Sequence, residues 1–182
     1  MQSNEIRSLK TRVSELETDY RVRSRAMLLY GSLDLDDEDD RTTFDLAKTF
    51  AISLSELGKL GEESTGTMQA VGRKSQLIDI DGTDGALEML LLTQTFKSSP
   101  GWDRSVVAIF DADKFVAALP VETYYRTWHE IIVEDINSDG VLDVRIQKYL
   151  PGKPAAKRQV TEEIVCFVNS RGFTKSTAKN AK

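Results

Sequence analysis

Apolar residues in the first thirty positions recur at helical spacing. Ile6, Leu9, Val13, Leu16 and Tyr20 are separated by 3, 4, 3 and 4 residues, and Met27 and Tyr30 keep the same phase. Residues spaced this way share one side of a helix, so the pattern draws a narrow apolar seam, broken at Arg23. A seam of this kind serves either a coiled coil between chains or packing on the chain's own domain, and the spacing allows both. "GSLDLDDEDD" follows, with Gly31 placed to stop the helix. Its aspartates suit a solvated loop that caps the next helix, because carboxylates favour helix N-termini. A second helix over 41–60 is expected from Phe44, Ala47, Phe50, Ala51, Leu54 and Leu57, which share a face. Residues 61–75, "GEESTGTMQAVGRKS", have the Gly, Ser and Thr content of a linker.

Beyond residue 76 the period shortens from helix to strand. "LEMLLLTQTF", "SVVAIF", "HEIIVED", "VLDVRIQKYL" and "EEIVCFV" are short apolar runs, several of them alternating, set between turn residues. An internal repeat organises them. "IDIDGTDGALEMLLL" from Ile78 matches "EDINSDGVLDVRIQ" from Glu134, with one extra residue in the first loop. Further on, "VVAIFDADKF" (Val106 to Phe115) matches "IVCFVNSRGF" (Ile164 to Phe173) without a gap. Each unit thus reads as strand, acidic loop, strand, longer loop, and a strand pair turning at "DADK" or "NSRG". The expected class is α+β: helices over 1–75, an antiparallel β-domain of two repeated units over 76–175, and a polar, basic, disordered tail over 176–182.

The acidic loops carry the recognisable chemistry. In "DINSDGVLD", Asp135, Asn137, Asp139 and Asp143 hold relative positions 1, 3, 5 and 9, and Gly140 at position 6 permits a sharp turn. Oxygen ligands on alternate residues of a tight loop converge on a point, which suits calcium, a hard cation that takes oxygens at about 2.3–2.6 Å. An EF-hand would need a bidentate Glu at position 12 and helices on both sides; here that position is Ile146 and the flanks are strands. "NSDG" is also a good turn sequence without any metal, and that reading stays open.

The same residues resemble the calcium loop of FG-GAP and VCBS repeats, found in integrin-type β-propellers and in many bacterial extracellular proteins. The likeness covers roughly residues 76 to 175 and implies propeller-blade-like units with calcium held between two strands. Carried over, the second loop would supply Asp135, Asn137, Asp139, the carbonyl of Val141, and Asp143. The first would supply Asp79, Asp81, Asp84, the carbonyl of Ala86, and Glu88.

Composition narrows the function further. The 182 residues are 40% hydrophobic and carry a net charge of -5, enough to bury a core and poorly suited to neutralising nucleic-acid phosphates. No apolar run approaches the roughly 20 residues that span a bilayer. The single Cys166 excludes an internal disulfide and a four-cysteine zinc site, and its apolar surroundings suggest a buried thiol. His129 is the only histidine, and "HEIIV" lacks the second His of a zinc-protease helix. No "GxSxG" elbow or phosphate-cradling glycine loop occurs. Trp102, Trp128, Tyr124 and Tyr125 fit either a sugar- or peptide-binding surface or a core.

The sequence therefore leads to the expectation of a binding or scaffold module rather than an enzyme, with calcium in a structural role. A protein or glycan is the expected partner, nucleic acid is not, and residues 6–30 are the expected route to self-association. The low calcium affinity expected of such a loop places the protein in the periplasm, on the cell surface or outside, with an export signal or lipid anchor ahead of Gln2. The alternative is a glycan or peptide hydrolase using acidic residues of the β-domain.

Overall fold

The computed structural model describes residues 2–34, 36, 37, 43, 47, 69–83, 86–97, 102–122, 128–150 and 160–177. One long helix, α1 (Gln2–Ser32), precedes eight strands: β1 (Gln69–Asp79), β2 (Leu87–Lys97), β3 (Trp102–Asp111), β4 (Lys114–Glu122), β5 (Trp128–Glu134), β6 (Asp143–Tyr149), β7 (Val160–Asn169) and β8 (Gly172–Thr177). These form two four-stranded antiparallel sheets in which every strand pairs with its neighbour in sequence, β1-β2-β3-β4 and β5-β6-β7-β8. The α+β class and the two four-strand units match the expectation. The turns at "DADK" and "NSRG" join β3 to β4 and β7 to β8, closed by the pairs Asp111↔Lys114 and Asn169↔Gly172.

Several boundaries move. Residues 69–75 belong to β1 rather than to a linker, and Ser176 and Thr177 belong to β8 rather than to a tail. Both are edge strands, and their polar sequences carry little apolar period of their own. Ladder bonds to β2 and β7 hold them in register instead. Of the expected second helix only Thr43 and Ala47 lie among the described residues; both are helical and buried. The rest of 41–60 lies outside them.

The first sheet is the middle of three layers. Alternate residues of a strand point to opposite faces, so Leu90 and Leu92 meet α1 while Leu87 and Met89 meet the second sheet. On the helix side Val106, Ala108 and Phe110 pack with Val22, Ala26 and Leu29. On the other side Val107, Ile109, Leu119 and Val121 pack with Val144, Ile146, Cys166 and Val168. A strand covered on both faces needs apolar residues at consecutive positions, which accounts for the unbroken run in "LEMLLL". β6 has its apolar cover on one face, and it alternates: Val144 and Ile146 are buried, while Arg145 and Gln147 are half-buried. Where β8 passes β4, a Cβ on Gly172 would lie 2.9 Å from the Ala117 Cβ, and Gly172 has φ 116.

The helix docks by a different stripe from the seam. Val22, Arg25, Ala26 and Leu29 are buried against the first sheet. Ile6, Leu9, Val13, Leu16 and Tyr20 are all more than half exposed, at 52 to 73%. The seam therefore does not bind the helix to its own domain, and the stretch ahead of Arg21 projects from the body.

Candidate metal site

The β5–β6 connection curls because Ser138 (φ 62) and Gly140 (φ 88) both adopt the left-handed region. That curl brings the alternate side chains together around the backbone of the loop. Asp135 accepts the Asp139 amide at 3.2 Å and the Gly140 amide at 3.1 Å, while Asn137 accepts the same Asp139 amide at 3.0 Å. Asp139 accepts the Val141 amide at 2.9 Å, and the Asn137 carboxamide donates to Asp139 at 2.8 Å. Asp143, at the first position of β6, is fully buried. Its two oxygens accept the amides of Ile136 at 3.2 Å and Val168 at 2.9 Å, which fastens the loop to β7.

The first loop is built differently, although its sequence aligns. Asp79 is still within the ladder, paired with Glu88, whereas the corresponding pair in the second unit is Glu134 with Asp143. Asp79 accordingly sits one ladder position earlier than Asp135. Among the described residues its carboxylate accepts the nearby amides of Asp81 and Gly82, at 3.3 and 3.0 Å, in a local turn. Asp81 accepts the Thr83 amide at 2.9 Å. Asp84 lies outside the described residues, and the Ala86 carbonyl accepts the Ala112 amide at 2.6 Å.

Glu88 is not turned to its own loop. It lies on the helix face of the first sheet, almost fully buried, where Arg25 donates to one carboxylate oxygen at 2.9 and 2.8 Å and Arg21 donates to the other. Arg25 also pairs with Asp113 at 2.9 Å and stacks over the Phe110 ring. The sequence signal for this cluster was the Arg21 and Arg25 pair, four residues apart and so on one helix face.

The two loops adjoin. Leu142 of the second donates its amide to the Ile80 carbonyl of the first at 2.8 Å, and Ile80 is buried between the sheets. Asp79, Asp135 and Asp139 are exposed and Asp81 is half-buried beside them. Among the described residues no Lys or Arg pairs with Asp135, Asp139 or Asp143, and no group of three His, Cys, Asp or Glu side chains converges tightly enough to hold a metal by itself. An oxygen site at this loop therefore depends on the Asn137 carboxamide and the Val141 carbonyl as well as the carboxylates. That mixed oxygen donor set fits calcium.

A second polar cluster crosses the sheets at their opposite end. Thr93 and Ser105 share a hydrogen bond at 2.8 Å, and Ser105 shares another with His129 Nε2 at 2.8 Å. Ser105 and His129 are buried, and His129 Nδ1 has no partner. Burial, with the Lys148 charge across the ladder, pushes the imidazole down to about 4. A nucleophile and base would need a third group to orient the base; among the described residues none meets Nδ1, and the Ser105–His129 bond links the two sheets. Cys166 is buried as expected, and burial pushes its thiol up. Trp128 is half-buried, while Tyr124, Tyr125 and the Trp102 side chain lie outside the described residues.

No protein-family model, curated protein or solved structure matches the chain.

Proposed function

We propose that this protein is a calcium-stabilised binding or scaffold module in which the loop from Asp135 to Asp143 holds the ion in a structural role. The observation that carries the reading is a difference in charge accounting between the two units. At the aligned last loop position Glu88 is neutralised by Arg21 and Arg25, whereas the equally buried Asp143 meets backbone amides and, among the described residues, no Lys or Arg. The amides satisfy the Asp143 oxygens without an ion pair, and a bound cation is a further way to meet the cost of burying that charge. A cation at the second loop would offset both Asp143 and the exposed Asp135 and Asp139. The backbone wrap around Asp135 and the likeness to FG-GAP and VCBS loops support the same reading. The blade-like arrangement of each sheet belongs to this proposal too, as does a setting rich in calcium: the periplasm, the cell surface or the exterior.

The test is thermal unfolding with calcium and with chelator. A ligand bound only by the folded state adds about 2.7 kcal/mol at a hundredfold excess over Kd, or roughly 5–10 °C for a chain of this size. Asp139→Ala should remove most of that shift, while Asp81→Ala should keep it. A wild-type Tm indifferent to calcium overturns the proposal.

A further inference from the structure

We propose that the projecting part of α1 joins two copies of this chain as a parallel, in-register, two-stranded coiled coil. The inference stands apart from the calcium reading and rests on three observations.

First, the stripe is unspent. Residues 5–18 and Tyr20 are exposed, and the helix meets its own sheet through Val22, Arg25, Ala26 and Leu29. With about 1.5 Å of rise per residue, Ile6 to Tyr20 presents an apolar line of roughly 21 Å clear of the body.

Second, the residue types select the strand number. In heptad terms Ile6, Val13 and Tyr20 are a positions, and Leu9 and Leu16 are d positions. β-branched residues at a with leucine at d favour two parallel strands.

Third, the flanking charges select orientation and register. Glu5 and Arg12 fall at g, Lys10 and Glu17 at e, and all four are exposed. In a parallel, in-register pair each g residue faces the e residue five positions later in the other chain, giving Glu5 with Lys10 and Arg12 with Glu17. Both contacts are attractive, and each occurs twice. An antiparallel pair that sets Ile6 opposite Leu16 brings Arg12 against Arg12 and Lys10 against Lys10. Arg23, at the next d position, ends the apolar layers where the globular bodies begin.

Sedimentation of the full chain tests the pairing. The wild type should shift with concentration from 20.4 kDa toward twice that mass, with or without chelator. Glu5→Lys with Arg12→Glu makes every e/g contact like-charged in one chain, and Lys10→Glu with Glu17→Lys does so in another. Each variant alone should dissociate at least about tenfold more readily, and an equimolar mixture should restore the pair, since all four mixed contacts are again opposite in sign. All four side chains are exposed, so neither variant should disturb folding. Leu16→Cys should cross-link on oxidation, because parallel register sets residue 16 against residue 16. A wild type that stays at 20.4 kDa at every concentration, variants that pair as well as the wild type, a mixture that does not recover, or a Leu16→Cys chain that stays uncross-linked would each overturn the proposal.

Discussion

Acid should loosen the joint between the two sheets, and His129 sets how much. In the folded chain burial, aided by Lys148, lowers its pKa from 6.5 to about 4. The unfolded chain takes up a proton as pH falls through 6.5, while the folded one resists until about pH 4. Stability from this group is therefore complete above pH 6.5, declines between 6.5 and 4, and is constant below that. Each pH unit in that window is worth about 1.4 kcal/mol, so the full loss is on the order of 3 kcal/mol. Carboxylates also contribute to acid unfolding, so the comparison that isolates the histidine is with His129→Gln, which can still bond Ser105 and does not titrate. Urea denaturation at neutral pH and near pH 4 should show the wild type losing about 3 kcal/mol more than the variant. Because the chain has a single histidine, its imidazole resonance can be followed directly. A folded-state midpoint near 6.5, or identical pH profiles for the two proteins, would refute the reasoning.

Glu88→Ala should cost about 1.5–3 kcal/mol in urea denaturation, because it removes the oxygen that takes two donors of the Arg25 guanidinium, whose side chain is only 10% exposed, and leaves that cation with Asp113 at the surface. Gly172→Ala should cost about 1–3 kcal/mol from its backbone conformation alone, plus the contact with Ala117; adding Ala117→Gly should recover only the contact part. Deleting residues 1–20 should leave Tm nearly unchanged. Deleting 1–32 should remove several kcal/mol or unfold the chain, since Val22 and Leu29 alone bury about 1.5–3 kcal/mol each.

The repeat was the most legible feature of the sequence. "VVAIFDADKF" and "IVCFVNSRGF" share apolar positions on both sides of a four-residue polar turn, so both hairpins could be placed from the sequence. The edge strands β1 and β8 were less legible, because sheet neighbours, not their own side chains, hold "QAVGRKSQLID" and "GFTKST" extended. The first loop was legible in composition but not in role. Asp79, Asp81 and Glu88 align with a calcium loop, yet the ladder continues through Asp79 and the arginines of α1 claim Glu88. Nothing within ten residues of Glu88 announces that contact, since its partners lie 63 and 67 positions away. The seam of α1 was readable as a seam; which surface it served was not. The docking stripe 22, 25, 26 and 29 includes an arginine, and an arginine reads as polar until a buried carboxylate is found to receive it.

The two units show how one loop sequence takes two electrostatic solutions. α1 covers the outer face of the first sheet, so a carboxylate at the start of β2 is enclosed there and must be met from the helix. Arg25 does so with a fork that also reaches Asp113 on the β3–β4 turn, tying helix, strand and turn at one point. No described helix covers the corresponding face of the second sheet. Asp143 is enclosed there by its own loop, through amides that come from β7 and from the loop itself. Amides orient a carboxylate and stabilise its charged form without an ion pair, so the second loop meets its buried carboxylate with dipoles where the first uses arginine charge. The helical segment thus shares a core cluster with the first sheet. The C-terminal third of α1 is part of the first sheet's core and supplies its countercharge, while residues 5–18 and Tyr20 stay exposed.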